Sequence, residues 1–313
     1  MHTILITGGT GLIGKALSKI LLQKGYEVII LTRFPEKQVT NSLFLSYAKW
    51  DLVNQFIDAE AIRKADYIIH LAGTSIAEKR WTEKRKKEML DSRVKGSELV
   101  FKLLSENENK VKAIFCASAI GWYGEQQNNA DKKEEISQRG FIESDPAATD
   151  FFGQTCKLWE DANQKFALLN KRLVIFRIGI LLSKEGGFLK EIKRPIDFGI
   201  APIIGSGKQL VSWIHIDDLV RMLIWSIENE NISGVFNAVS NEPVTFKELI
   251  TQYAQIKRGR FFISLYIPSF ILKLMLGELS KEIVKSVHVR NTKIKEQGFS
   301  FLFPHIHSAL LSL

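Results

Sequence analysis

Thr3-Ile4-Leu5-Ile6-Thr7-Gly8-Gly9-Thr10-Gly11-Leu12-Ile13-Gly14 is an apolar run leading into three glycines spaced G-x-x-G-x-x-G. A helix-like stretch from Lys15 to Gln23 follows, and a second apolar run, Glu27 to Thr32, arrives after it. A strand, a glycine turn and a helix start in that order read as a phosphate-cradling βαβ unit. Gly8 can take the tight turn, Gly11 lets a pyrophosphate approach the backbone, and Gly14 lets the helix pack hard on the strand. Thr10, Leu12 and Ile13 lie inside the same turn and count as cofactor contacts with them.

The bulk properties bound the rest. With 313 residues, 45% hydrophobic and 25% charged, the chain can bury a large α/β core. A net charge of +9 suits anionic ligands such as dinucleotides or nucleotide sugars. Two cysteines, Cys116 and Cys156, make neither a disulfide framework nor a zinc pattern, so no metal is expected. No apolar run is long enough for a membrane span. The first residues carry no basic leader and no cleavage site and read directly as strand one, so the cytoplasm is the expected location.

Strand two ends in Leu31-Thr32-Arg33. An acid at that tip would bind a ribose 2′-hydroxyl, whereas an arginine pairs with a 2′-phosphate, so Arg33 argues for NADP. A short strand is expected over Leu43 to Tyr47. Asp51 after it either approaches the adenine or caps the following helix. Ala65 to Gly73 is a buried parallel strand whose end, Leu71-Ala72-Gly73, borders the cofactor; His70 reads as a packing residue there. Residues 78–104 form a charged helix with a solvated face, and Lys112 to Ser118 is the next strand. Residues 125–140 read as an exposed polar loop, Asp150 to Leu169 as helix, and Arg172 to Leu182 as strand. Glycines and prolines then punctuate 186–208, as in a substrate lobe inserted among core elements. Trp213 to Val220 is a strand entering a helix through acidic caps, Val235 to Val239 another strand, and Thr245 with Glu248 a capping box. The aromatic run over 255–313 is expected to pack as a small helical element, in preference to an amphipathic membrane contact.

Taken together, GGTGLIG at 8–14, LTR at 31–33, HLAG at 70–73, SAIGWYG at 118–124, RIGILLS at 177–183 and WIHIDDLV at 213–220 resemble the extended short-chain dehydrogenase/reductases. More narrowly, they resemble the atypical "epimerase family" of nucleoside-diphosphate-sugar-epimerase-like proteins, with its small C-terminal domain of unknown function. The resemblance implies a Rossmann-type doubly wound parallel sheet over 1–182, a mixed lobe with returning core elements over 183–254, and a small helical domain over 255–313. It implies NADP(H) on Gly8, Gly11, Gly14 and Arg33, with Leu71, Ala72, Gly73, Asp51 and Arg177 alongside.

Relatives in this family use a serine with a Tyr-x-x-x-Lys pair. The lysine lowers the tyrosine's pKa so that the phenolate takes a proton while hydride moves to the nicotinamide. Ser118 matches the serine, but the pair falls on Phe152 and Cys156. Arg93 stands where an asparagine is usual, and both replacements mark the atypical subgroup. The candidates left for chemistry are Ser118, Tyr123, Arg93 and Cys156. Tyr123 is either a proton donor or a packed aromatic. Cys156 is either a thiol activated by Arg93 or a core residue. Trp122 and His215 are the expected substrate contacts. The expected activity is NADP-dependent oxidation, reduction or epimerisation of a small polar or nucleotide-linked substrate, and the alternative is an NADPH sensor or scaffold without turnover. Neither nucleic acid nor membrane is an expected partner, and nothing in the residues speaks to oligomeric state.

Overall fold

The computed structural model describes residues 1–76, 79–125 and 139–313; most of the loop expected over 125–140 lies outside the described residues. Its main sheet is built from β1 (Thr3–Thr7), β2 (Glu27–Thr32), β3 (Leu45–Asp51), β4 (Phe56–Ile57), β5 (Tyr67–His70), β6 (Ala113–Ala119), β7 (Arg172–Ile178) and a last strand, Gly234–Ala238. Their order is Gly234–Ala238, β7, β6, β5, β1, β2, β3, β4. Neighbours run parallel except β3 and β4. The chain builds outward from β1 through β2 to β3, then returns to lay β5 on the other side of β1. That reversal opens a crevice at the carboxyl ends of β1 and β5, where such sheets take ligands.

Alternation within β1 sends Ile4 and Ile6 to one face and Leu5 to the other. The first face packs on α1 (Leu12–Gln23) and the helix Ile216–Glu228 through Leu17, Leu21, Leu219 and Leu223. The second packs on α2 (Ala59–Lys64) and α3 (Glu83–Glu106) through Ile62, Leu99 and Val100. Both faces are covered, which is why these strands are apolar throughout.

The strand expected over Arg172 to Leu182 is broken at Gly179. A Cβ there would lie 2.8 Å from the Ser212 carbonyl oxygen, so only glycine lets the chain leave the main sheet at this point. The continuation, Ile180–Ser183, pairs with Trp213–His215 and Gly186–Gly187 in a second sheet. A third core gathers there, with Leu189, Ile192, Ile203, Leu249 and Ile250. α4 (Phe151–Gln164) is shorter than the helix expected, its last turns being 3-10 over Lys165–Leu169.

The C-terminal segment is tied down by the WIHIDDLV stretch. Asp218, fully buried, accepts from the Leu302 and Phe303 backbone N–H groups at 2.6 and 2.9 Å. The helices Ser269–Leu276 and Leu279–Val284 reach back over the start of α3, where Lys86 meets Glu278 at 3.0 Å. The aromatic run packs only in part: Leu272 is buried and Phe262 and Leu276 lean on the cores, but Phe261, Phe270 and Leu274 are 82, 71 and 77% exposed. Among the described residues no helix is long and apolar enough to cross a membrane, and no cluster of His, Cys, Asp or Glu could hold a metal.

Candidate active site

Gly8 sits at φ +70°, and a Cβ on it would lie 2.9 Å from the Leu71 carbonyl. The turn after β1 is thereby pressed against the loop after β5. A Cβ on Gly14 would lie 2.4 Å from Gly9 Cα and 2.5 Å from the Gly8 oxygen. Gly14 therefore packs α1 on the turn itself rather than on the strand. Gly9, which the spacing alone does not single out, rests on Ile30, 2.7 Å from where its Cβ would be. Thr7 Oγ1 accepts from the N–H groups of Leu71 and Ala72, both at 3.1 Å, and seals the junction. Thr10 is exposed at the top of the turn, Leu12 leans on Gly186, and Ile13 packs into the core. α1 has Gly11 as its N-cap and no side chain capping it. Its first backbone donors are thus left for an anion.

At the tip of β2 three cations surround one ring. Arg33, Lys37 and Lys49 lie 6.0, 4.6 and 5.7 Å, respectively, from the Phe34 centroid. Lys49 Nζ donates to the Arg33 carbonyl at 2.6 Å, locking the tips of β2 and β3 together. Asp51 does not cap the helix. Its carboxylate accepts from Val53 N, Asn54 N and Asn54 Nδ2 at 2.9–3.1 Å and closes its own turn, while Asp58 caps α2. A cavity of about 670 Å³ lies beside this turn, between Leu52, Val53 and Gln55 and the α3 residues Asp91, Ser92 and Lys95.

His70 is fully buried under the same junction. Thr7 Oγ1 lies 2.8 Å from its Nδ1 and Ser97 Oγ 3.2 Å from its Nε2. Thr7 already accepts from two backbone donors and Ser97 already donates to the Arg93 carbonyl. The ring that fits is neutral, with its proton on Nε2. Burial lowers its pKa to about 4, against about 6.5 in the unfolded chain. Acid therefore charges the unfolded chain first, and stability is lost as the pH falls from 6.5 toward 4. Between pH 7 and pH 5 this histidine is expected to cost about 2 kcal/mol, read from urea midpoints and absent in His70→Gln.

Beyond β5 the candidates part company. Ser118 Oγ donates to Glu160 Oε1 at 2.5 Å. Glu160, on α4, is gripped by Arg177 through Nε and Nη2, both at 2.9 Å. Arg177 Nη1 donates to Tyr123 Oη at 3.0 Å, and Tyr123 donates to Asn237 Oδ1 at 2.6 Å. All five side chains are under 5% exposed. Arg177 is consequently a core cation paired with Glu160, not a cofactor contact. Tyr123 is a core aromatic, stacked on Phe141 at 5.0 Å, and burial pushes its phenol well above the usual range. Trp122 lies under the Arg177 guanidinium at 3.7 Å and donates to the Asp145 carbonyl, which fixes it from within.

Phe152 and Cys156 do share a face of α4. Phe152 covers Gly121, where a Cβ would be 2.2 Å from its ring, and meets Trp81 edge-on at 5.9 Å. Cys156 is fully buried, and burial, with Glu160 adding, pushes its thiol up to about 12. Arg93 acts in the opposite direction but is outweighed, so no thiolate forms at neutral pH. Arg93 itself lies beneath the cofactor loop, its Cζ 3.2 Å from where a Gly73 Cβ would be. It donates to the carbonyls of Met89 and Thr74, and its Nε has no hydrogen-bond partner among the described residues. It positions the loop rather than facing the crevice. Cys156→Ala is expected to leave activity within about twofold and to cost about 1–2 kcal/mol of stability, checked by steady-state rates and urea denaturation.

His215 is structural as well. It is the N-cap of Ile216–Glu228, its Nδ1 accepting from Asp217 N at 3.1 Å, and its Nε2 lies 3.1 Å from Ser312 Oγ. Packed against Phe303 with both ring nitrogens engaged, it has no group left for a substrate. The cap is this histidine and not the acids after it. Glu160, Asn237, Lys37 and Lys49 are the residues that the sequence reading did not single out.

Comparison with known proteins gives the family and the fold. The model of the NAD dependent epimerase/dehydratase family matches residues 4–146, and that of a domain of unknown function, DUF1731, matches residues 267–313. An epimerase family protein of Staphylococcus saprophyticus is 33% identical over 313 residues, covering 100% of this chain and 99% of that protein. YfhF of Bacillus subtilis, also an epimerase family protein, is 32% identical over 99% of this chain and 97% of its own length. Among solved structures, the human epimerase family protein SDR39U1 (isoform 2) with NADPH superposes with a TM-score of 0.81 at 26% identity, covering 99% of this chain and 98% of that one. A nucleoside-diphosphate sugar epimerase from Corynebacterium glutamicum gives 0.74 at 25%, covering 99% of this chain and 57% of that one.

Proposed function

The chain belongs to the epimerase family of NAD(P)-binding proteins, and we propose that it binds NADP(H) and transfers hydride to or from a polar, nucleotide-linked substrate. The observation that carries the cofactor reading is the pairing of an uncapped glycine turn with the cations at the tip of β2. The turn would hold the pyrophosphate on backbone N–H groups, and Arg33, with Lys37 and Lys49 beside it, would hold the 2′-phosphate. The cavity between Leu52 and Ser92 would take the adenine. Bound NADP(H) supplies a hydride donor or acceptor at its nicotinamide ring.

The proton then has to be handled without a phenol. Ser118 has its hydroxyl hydrogen on Glu160 and keeps its lone pairs for a substrate O–H. A substrate proton passes to Ser118 as the Ser118 proton passes to Glu160, and Arg177 holds that carboxylate in place. For reduction the same proton runs in reverse. Glu160, one turn beyond Cys156 on the same face of α4, thus takes over the acid–base role.

A second reading, NADPH binding without turnover, draws on Phe152 and Cys156 packing where the Tyr/Lys pair is usual. Both readings share the cofactor, and titration by nicotinamide fluorescence tests it. NADPH is expected to bind at least about tenfold tighter than NADH; equal affinities would remove Arg33 from the 2′-phosphate.

A further inference from the structure

The exposed apolar residues at the C-terminal end gather on one strand and the helix that follows it. The strand Ile263–Ile267 pairs in parallel with Ile200–Ile204, and among the described residues has no partner along its other edge. Ala201 and Ile203 turn their side of this pair into the third core. Ile263 and Leu265, on the opposite side, are 67 and 49% exposed. Phe261 and Phe198, at 82 and 76%, extend the surface at one end, where Ile263 N–H meets the Gly199 carbonyl at 2.9 Å. Phe270 and Leu274, on the following helix, extend it at the other. Scattered apolar residues are ordinary on a protein surface, but this many large exposed ones along one strand and the helix after it mark a contact site.

Its charge says what the contact is. From Leu249 to Gly277 the chain holds no aspartate or glutamate and four cations, Lys257, Arg258, Arg260 and Lys273, all exposed. The neighbouring helix Phe188–Asp197 carries two acids, Glu191 and Asp197, the latter paired with Lys193 at 2.5 Å, and three cations, Lys190, Lys193 and Arg194. Against a second copy of this chain, a two-fold contact would set these cations against their own copies. Against an anionic lipid surface, the same cations are attracted while the aromatic and aliphatic side chains enter the headgroup boundary.

We propose that this face docks the protein on anionic lipid, as a peripheral contact with no spanning element. The proposal rests on this exposed face and not on the hydride-transfer reading.

The test is sedimentation with vesicles of phosphatidylcholine containing about 30% phosphatidylglycerol, beside vesicles of phosphatidylcholine alone. Binding is expected to the acidic vesicles and to be weak on the neutral ones, with each cation contributing about fivefold to partitioning. Arg258→Glu with Arg260→Glu is expected to lower it by about 25-fold or more. Phe270→Ser with Leu274→Ser is expected to lower it at least about tenfold at unchanged surface charge. Because these positions are exposed, the variants should melt like the parent and titrate NADPH equally. Equal binding to both vesicle types, or none to either, would overturn the proposal. So would a concentration-dependent dimer in sedimentation velocity that Phe270→Ser with Leu274→Ser dissolves, since the face would then belong to a second copy.

Discussion

Glu160→Ala is expected to destabilise the fold by about 3–5 kcal/mol, because it leaves the Arg177 guanidinium buried and without its carboxylate. Arg177 is 2% exposed, and Glu160 supplies both oxygens of its bidentate pair. The carboxylate also receives Ser118, so one substitution strands two donors. Urea denaturation measures the loss, and a value under about 1 kcal/mol would mean that the network carries no load. Glu160→Gln keeps the shape and serves as the chemical test. It is expected to fold, to titrate NADPH like the parent and to lose about a hundredfold in turnover, and unchanged turnover would remove Glu160 from the proton path.

Arg33→Ala is expected to weaken NADPH about 10–100-fold and to leave NADH within about twofold. A guanidinium on a phosphate makes charge-assisted hydrogen bonds of roughly 1.5–3 kcal/mol, and NADH has no phosphate there to lose. Lys49→Ala is expected to act more weakly and on both cofactors, because Lys49 also holds the Arg33 backbone through a 2.6 Å bond. Calorimetric titration of both variants with both cofactors separates these outcomes.

The cofactor end of the crevice was legible because its determinants are local. The glycines, the strand before them and the arginine at the tip of β2 all fall within the first 33 residues, and their spacing reports a backbone path. The other end was not, because its partners are far apart in the chain. Tyr123 and Asn237 are 114 positions apart and Ser118 and Glu160 are 42. No spacing rule reveals that Arg177 is spent inside the core, or that His215 is a helix cap stitched to Ser312. One signal was there to be read: Phe152, Cys156 and Glu160 recur every four residues, so a carboxylate shares the face on which a lysine was missing. The C-terminal run shows a different limit. Hydropathy cannot tell a core from an open apolar face.

The most direct test of hydride transfer by Ser118 and Glu160 in place of a Tyr/Lys pair is an isotope trace. The protein is loaded stoichiometrically with NADPH deuterated at the transferring position and mixed with a metabolite extract, and the small molecules are searched by mass spectrometry. Deuterium is expected to appear in a polar, nucleotide-linked product and to be missing from a parallel reaction with Ser118→Ala. Deuterium that stays wholly on the cofactor, with parent and variant alike, would contradict hydride transfer and leave a protein that binds NADPH without turning it over.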